Sequence, residues 1–162
     1  MRGVPIAEKV AKCLPFLQRA GLVPDPAPQE VRDRLARIIE AASDRIKVFG
    51  DVLDYPEFFQ ADDAFAFDEK VFEQRLRKPA QARTLLQRFH QRLADASAFD
   101  AAALEKLMHD FVEAEGVKLG DIIHAVRVAT TGKGVGFGLF DILAILGRPR
   151  CLARIDRALA RV

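Results

Sequence analysis

Tryptophan is absent from this chain of 162 residues, tyrosine occurs once, and cysteine and methionine occur twice each. Cys13 and Cys151 stand far apart, with no Cys or His beside them at metal-ligand spacing. That excludes a zinc ribbon or a disulfide framework and leaves two reduced thiols, buried or half-buried. No run of 18 apolar residues occurs, so no membrane-spanning helix is expected. The opening Met1-Arg2-Gly3-Val4-Pro5 lacks the apolar stretch of a signal peptide. A cytoplasmic protein away from the membrane is the expectation. No segment alternates apolar and polar residues well enough to read as a strand. The three histidines, His90, His109 and His124, belong to no carboxylate pair, nucleophile–base pair or metal cluster, so nothing supports an independent enzyme.

Half of the residues are hydrophobic and twelve are phenylalanine. A core of one ordinary domain or two small ones can be built from them. The formal net charge is only +2, but the charges are segregated. Asp54 to Glu73 holds seven acidic residues and one lysine. Gln74 to Ala94 holds six basic residues and no acid, and Arg148 to Val162 holds five arginines and one aspartate. Such blocks suit either solvated helix faces or a phosphate-binding surface.

The periodicity predicts an all-α fold. Ile6, Val10, Cys13, Leu14 and Leu17 recur at helical spacing over Ile6–Arg19, and Gly21 reads as the stop. Three prolines in Val23–Pro28 make an extended connector. A second helix starts near Gln29, carries Val31, Leu35, Ile38, Ile39, Ala42 and Ile46 on one face, and is expected to run to just before Gly50. Asp51 to Asp68, with Phe58, Phe59, Phe65 and Phe67, reads as an aromatic connection packed on helices. A helix over 68–77 follows, then one opened by Pro79 and running to about Asp95. Asp100 suits the N-cap of a helix over Ala101–Glu115, closed by Gly116. A helix over 119–131 ends at Gly132. Leu139–Leu146 is short and very apolar, and Pro149 opens a last basic helix.

Between the last of these lies Gly132-Lys133-Gly134-Val135-Gly136-Phe137-Gly138. Four glycines in seven residues invite a phosphate-loop reading, but Lys133 is followed by Gly134 instead of Ser or Thr, and a helix precedes it instead of a strand. A dinucleotide fingerprint fails for want of the same strand. Two readings remain: a tight turn with close backbone approach, or a recognition loop.

The residues around that loop favour recognition. Val126-Arg127-Val128-Ala129-Thr130-Thr131-Gly132, followed by Gly138-Leu139-Phe140-Asp141-Ile142-Leu143-Ala144-Ile145-Leu146-Gly147, resembles the C-terminal signature of glutamyl-tRNA synthetases. Arg154-Ile155, Glu115-Gly116-Val117-Lys118-Leu119-Gly120 and Leu14-Pro15-Phe16-Leu17-Gln18-Arg19-Ala20-Gly21-Leu22 are similar to the family in the same order. The likeness is dense at the end of the chain and thin between Pro24 and Ala98.

The resemblance implies two consecutive helical anticodon-binding subdomains, a partial one over residues 1–60 and a second over 61–162. It implies binding of the anticodon arm of tRNA(Glu), and catalysis in a separate N-terminal domain of a longer parent. The two catalytic motifs of that domain are missing from this sequence, so no cofactor is expected here, with ATP and Mg used by the parent. Helix-like Ile6-Ala7-Glu8-Lys9 follows the first residue almost at once, as inside a longer chain. A monomer is expected. A stand-alone helical RNA-binding or protein-interaction module of the same fold is the alternative.

The resemblance also nominates residues. Arg127 corresponds to a base-contacting arginine, or else it braces the adjacent loop. Gly136, Phe137, Leu139 and Phe140 fall in the anticodon-pocket loop and helix start. Where the family usually has Ser or Thr and then Pro, this chain has Gly136-Phe137. That removes a hydroxyl and offers an aromatic face for an unstacked base. Leu139 could equally be core, and Phe140 is expected there. Arg45 corresponds to an arginine reading the last anticodon base, or is a solvated helix-face residue. Arg148, Arg150, Arg154 and Arg157 are expected either to meet phosphates or to line a solvated terminal helix.

Overall fold

The computed structural model describes residues 3–162; Met1 and Arg2 of the opening pentapeptide lie outside the described residues. Among the described residues there are helices and turns and no strand. The chain divides into two compact units, Met1–Gln60 and Ala61–Val162.

In the first unit α1 (Ile6–Arg19) packs against α2 (Gln29–Ala42). The apolar stripe of α1 buries Val10, Cys13, Leu14 and Leu17, and α2 answers with Leu35, Ile38, Ile39 and Ala42. Gly21 stops α1 in a left-handed conformation (φ 76°), and the N–H of Leu22 reaches back to the carbonyl of Leu17 at 3.0 Å. That bond satisfies a carbonyl the helix would otherwise leave open.

The second helix is shorter than its apolar stripe suggests. It ends at Ala42, and Ser43 takes a positive φ of 48°. A 3-10 turn over Ser43–Arg45 follows, and then another over Phe49–Asp54. The reason lies beyond the end of the helix. The Asp51 carboxylate accepts from the backbone N–H groups of Lys47 (2.9 Å) and Val48 (3.1 Å), donors that a continuing helix would need. This is the side-chain competition that Asp and Ser offer a helix. The same two bonds hold the Asp51 carboxyl below its ordinary pKa. Ile46 still buries, but from the non-helical link. Val52, Tyr55 and Phe58 of the aromatic connection close the core of this unit.

The second unit opens with the strap Ala61–Asp68, which buries Phe65 and Phe67. Asp68 then caps α3 (Glu69–Phe72), accepting from the N–H groups of Lys70 and Val71. The helix expected over 68–77 loosens into a π-helical turn at Glu73–Arg77, closed by a bond from Lys78 N–H to the Glu73 carbonyl. Pro79 sits just ahead of α4 (Ala82–Asp95) and accepts from the N–H of Ala82 through its carbonyl. Asp100 caps α5 (Ala101–Glu115) by accepting from Ala103 N–H at 2.8 Å, and left-handed Gly116 ends it. Then come α6 (Gly120–Thr131), α7 (Leu139–Leu146) and α8 (Arg148–Arg161). Here α4 packs on α6 and α8, and α5 packs on α7. Phe89 and Phe111 meet edge to face at 5.3 Å between ring centres, a favoured aromatic geometry. Ile122, Val126, Val128, Leu143, Cys151 and Ile155 fill the middle. No helix among the described residues is long and apolar enough to cross a membrane.

Candidate nucleic-acid interface

The loop Lys133–Gly138 is anchored at both ends by α6. At its start, Gly132 caps α6 with φ 79°, and a Cβ built on it would stand 2.0 Å from the carbonyl oxygen of Ala66. Only glycine lets the strap pass this close. The contact is sealed by a 2.7 Å hydrogen bond from Asp68 N–H to the Gly132 carbonyl. Further along, a Cβ on Gly134 would lie 3.0 Å from Val71 Cγ1, and one on Gly136 would lie 3.1 Å from Arg127 Nη1. The loop backbone is therefore pressed onto α3 and onto Arg127.

Arg127 is half-buried on α6 and donates from Nη1 to the carbonyl of Phe137 at 2.8 Å. Its own carbonyl accepts from the Thr131 hydroxyl at 2.7 Å, and that hydroxyl in turn accepts from Lys133 N–H at 3.1 Å. The arginine, the last turn of α6 and the loop are thus tied into one body. His124, one turn earlier on the same helix, has its pKa lowered by partial burial and then by the positive charges of Arg75 and Arg127.

The nominated residues divide sharply. Gly136 lies against Arg127 as described. Phe137 is only 3% exposed. Its ring belongs to the core, so the aromatic face expected to receive a base is turned inward. Its carbonyl is the part that the site uses. Leu139 is buried and Phe140 half-buried, so of the two it is Leu139 that belongs to the core. Val135, overlooked in the sequence, is 78% exposed at the tip. Its signal was present: a single β-branched residue set between two glycines, in a loop and outside any helix.

The sequence left the arginines of α8 between phosphate contacts and a solvated terminal helix; in the structure Arg148, Arg150, Arg154 and Arg157 bond to their own chain. Arg154 is fully buried. It donates from Nε to Asp62 Oδ1 at 2.7 Å and from Nη1 to the Thr130 carbonyl at 2.8 Å. Its guanidinium also lies 4.2 Å from the centre of the Phe65 ring. It has no surface with which to meet a phosphate in this structure. Burial pulls its pKa down, and the bond to Asp62 acts against that shift. Arg150 donates to the same Asp62 oxygen at 3.0 Å. Arg157 donates to the Phe65 carbonyl at 2.7 Å and stacks on Phe65 and Phe67. Arg148 donates to the carbonyls of Ala94 and Ala96, at the end of α4, where a cation complements the helix dipole. The basic block of α8 therefore meets the acidic, aromatic strap of its own chain. Arg45 is exposed in the first unit, on the 3-10 turn Ser43–Arg45.

Each of the two units is all-helical, and the second carries a glycine-rich loop braced on an arginine. The family model described as the anticodon binding domain matches residues 8–159, and the chain belongs to that family. The chain is 37% identical over 145 residues to a glutamate–tRNA ligase of Moorella thermoacetica, an alignment taking in 90% of this chain and 29% of that protein. To the glutamate–tRNA ligase of Desulforudis audaxviator it is 36% identical over 167 residues, with 99% of this chain and 32% of the relative covered. The chain thus spans about three-tenths of the length of these relatives. A crystal structure of a glutamate tRNA ligase from Elizabethkingia meningosepticum, in complex with its amino acid, superposes with a TM-score of 0.80 at 21% identity, over 97% of this chain and 29% of that one. That likeness is one of fold.

Proposed function

We propose that this chain reads the anticodon arm of tRNA(Glu) on behalf of a glutamate–tRNA ligase, the chemistry being done by a catalytic domain elsewhere in the parent. The observation that carries this reading is the tethered guanidinium of Arg127. One Nη1–H bond to the Phe137 carbonyl orients the plane of the group beside the loop. A planar, oriented fork of donors is what bidentate reading of a base edge requires. Val135, held out at the tip by the packed glycines on either side, supplies an apolar contact for a base splayed from the anticodon loop. Splayed bases met by apolar or aromatic surface and by arginine are the usual route to sequence-specific RNA recognition. In the first unit, exposed Arg45 is an arginine available for an RNA contact. ATP and magnesium serve the parent's catalytic part, and the protein acts as a cytoplasmic monomer.

The test is a titration at fixed salt. The anticodon stem-loop of glutamate tRNA is compared with one of altered anticodon bases. The native loop binds more tightly, and Arg127→Ala lowers that preference by about 1–3 kcal/mol, the range for one bidentate base contact. Equal affinity of the unaltered protein for both RNAs would refute the reading.

A further inference from the structure

Asp62 and Arg154 stand behind the recognition loop without being part of its surface. Arg154 is wholly buried, yet it is bonded in two directions: to Asp62 on the strap and to the carbonyl of Thr130 in the last turn of α6. That carbonyl belongs to the set that a helix end cannot satisfy within itself. The Thr130 hydroxyl bonds back to Val126 and the Thr131 hydroxyl to Arg127, so what fixes this turn also fixes Arg127. The strap held by Arg154 is the same segment whose Ala66 carbonyl and Asp68 N–H close on Gly132. Arg150 adds a second bond to Asp62, and Arg157 holds the Phe65 carbonyl.

From this geometry we infer that Arg154 and Asp62 are positioning residues for RNA reading. Together they lock the end of α6 and the strap in the one register that presents Arg127 and the loop Lys133–Gly138 correctly. The inference rests on that loop being the RNA-reading surface. It assigns Arg154 to specificity, whereas a phosphate contact would assign it to sequence-blind affinity. A buried ionic group is the form such a device takes when it selects one arrangement of packed elements over others. The guanidinium suits the task because its rigid fork serves two acceptors at once, which a lysine ammonium on a flexible stem does poorly.

The experiment uses the whole 162-residue chain and three variants: Arg154→Lys, Asp62→Asn, and the double variant Arg154→Met/Asp62→Asn. The double variant leaves neither charge of the pair behind, which limits the loss of stability that a single unpaired buried charge brings. Two readouts are taken. In the RNA-free protein, amide hydrogen exchange at Thr131–Gly138 rises at least about tenfold in all three variants while α5 amides keep their protection, as expected of local opening. In the stem-loop titration, preference for the native anticodon falls about tenfold or more while the slope of log affinity against log salt stays that of the unaltered chain. A slope lower by about one in the double variant, which removes the cation, makes Arg154 a phosphate contact and overturns the inference. So does unchanged exchange at Thr131–Gly138 in the double variant. Faster exchange in a protein that never discriminated between the two RNAs leaves positioning intact and refutes the RNA reading instead.

Discussion

Gly132 offers the sharpest quantitative test of how the loop is held, because Gly116 in the same unit is its built-in control. Both glycines end helices in the left-handed region, at φ 79° and 66°. A Cβ on Gly116 meets nothing within 4 Å, whereas one on Gly132 falls 2.0 Å from the Ala66 carbonyl oxygen. Gly116→Ala therefore carries the conformational penalty alone, roughly 1–2 kcal/mol. Gly132→Ala carries the same penalty and must also push the strap away by more than an ångström. That movement breaks the bond from Asp68 N–H to the Gly132 carbonyl, a net loss of about 1 kcal/mol. It also shifts the packed Phe65 and Phe67 rings, at the roughly 1–3 kcal/mol typical of overpacking. The expected total is about 3–6 kcal/mol, against 1–2 for the control. Urea titration followed by helical circular dichroism measures both, with the native slope as a check that unfolding stays cooperative. Equal losses in the two variants would show that the strap does not press on Gly132 and would remove the physical basis for a rigid recognition loop.

Val135→Asp is expected to leave the urea midpoint within about 0.5 kcal/mol of the parent, as for exposed substitutions generally, while weakening stem-loop binding about tenfold by adding charge repulsion at the apolar contact; unchanged affinity would place the tip away from RNA. Burial pushes the Cys13 thiol up to about 11 and the Cys151 thiol up to about 12. Neither forms thiolate at pH 8, so a disulfide reagent such as Ellman's should label neither until the chain is unfolded in urea, and fast labelling of the native protein would contradict the core placement. His124 is held below its ordinary pKa by partial burial and by Arg75 and Arg127. The folded chain therefore resists a proton that the unfolded chain accepts, and this site lowers stability as pH falls from about 7 through the ordinary histidine value of about 6.5. Replacing it by Gln should flatten that part of the stability–pH curve, and an identical curve would show that His124 does not couple to folding. Arg148→Ala removes the donor to the Ala94 and Ala96 carbonyls and should cost about 1–3 kcal/mol of stability without changing the salt slope of RNA binding.

What the sequence made readable were features whose cause is local. Gly21, Gly116 and Gly132 end helices because each supplies the left-handed turn, and Asp100 caps α5 through its own side chain. The apolar stripe of α1 buries Val10, Cys13, Leu14 and Leu17 as its spacing predicts. The early end of α2 was not readable. Apolar spacing continues through Ile46, and the competitor, the Asp51 carboxylate, lies beyond the helix it interrupts. The π-helical turn at Glu73–Arg77 has no periodic signature that separates it from an α-helix over so few residues.

The charge blocks carry the larger lesson for the site. Read along the chain, five arginines between Arg148 and Val162 suit either a solvated helix face or a row for phosphates, and nothing marks the acidic run before Gln74 as their partner. In the fold they are partners. Asp62 takes Arg150 and Arg154, Glu69 takes Arg161, and the Phe65 and Phe67 rings lie under Arg157. A one-dimensional reading cannot distinguish a basic helix that awaits an external polyanion from one whose counter-charges lie some ninety positions earlier in the same chain. The consequence is functional. A surface stripped of these cations loses part of the salt-sensitive, sequence-blind attraction that dominates most nucleic-acid binding. On the function proposed above, recognition by this unit would then lean on the few groups its loop presents, Arg127 and the exposed tip, and on the buried pair that keeps them in place.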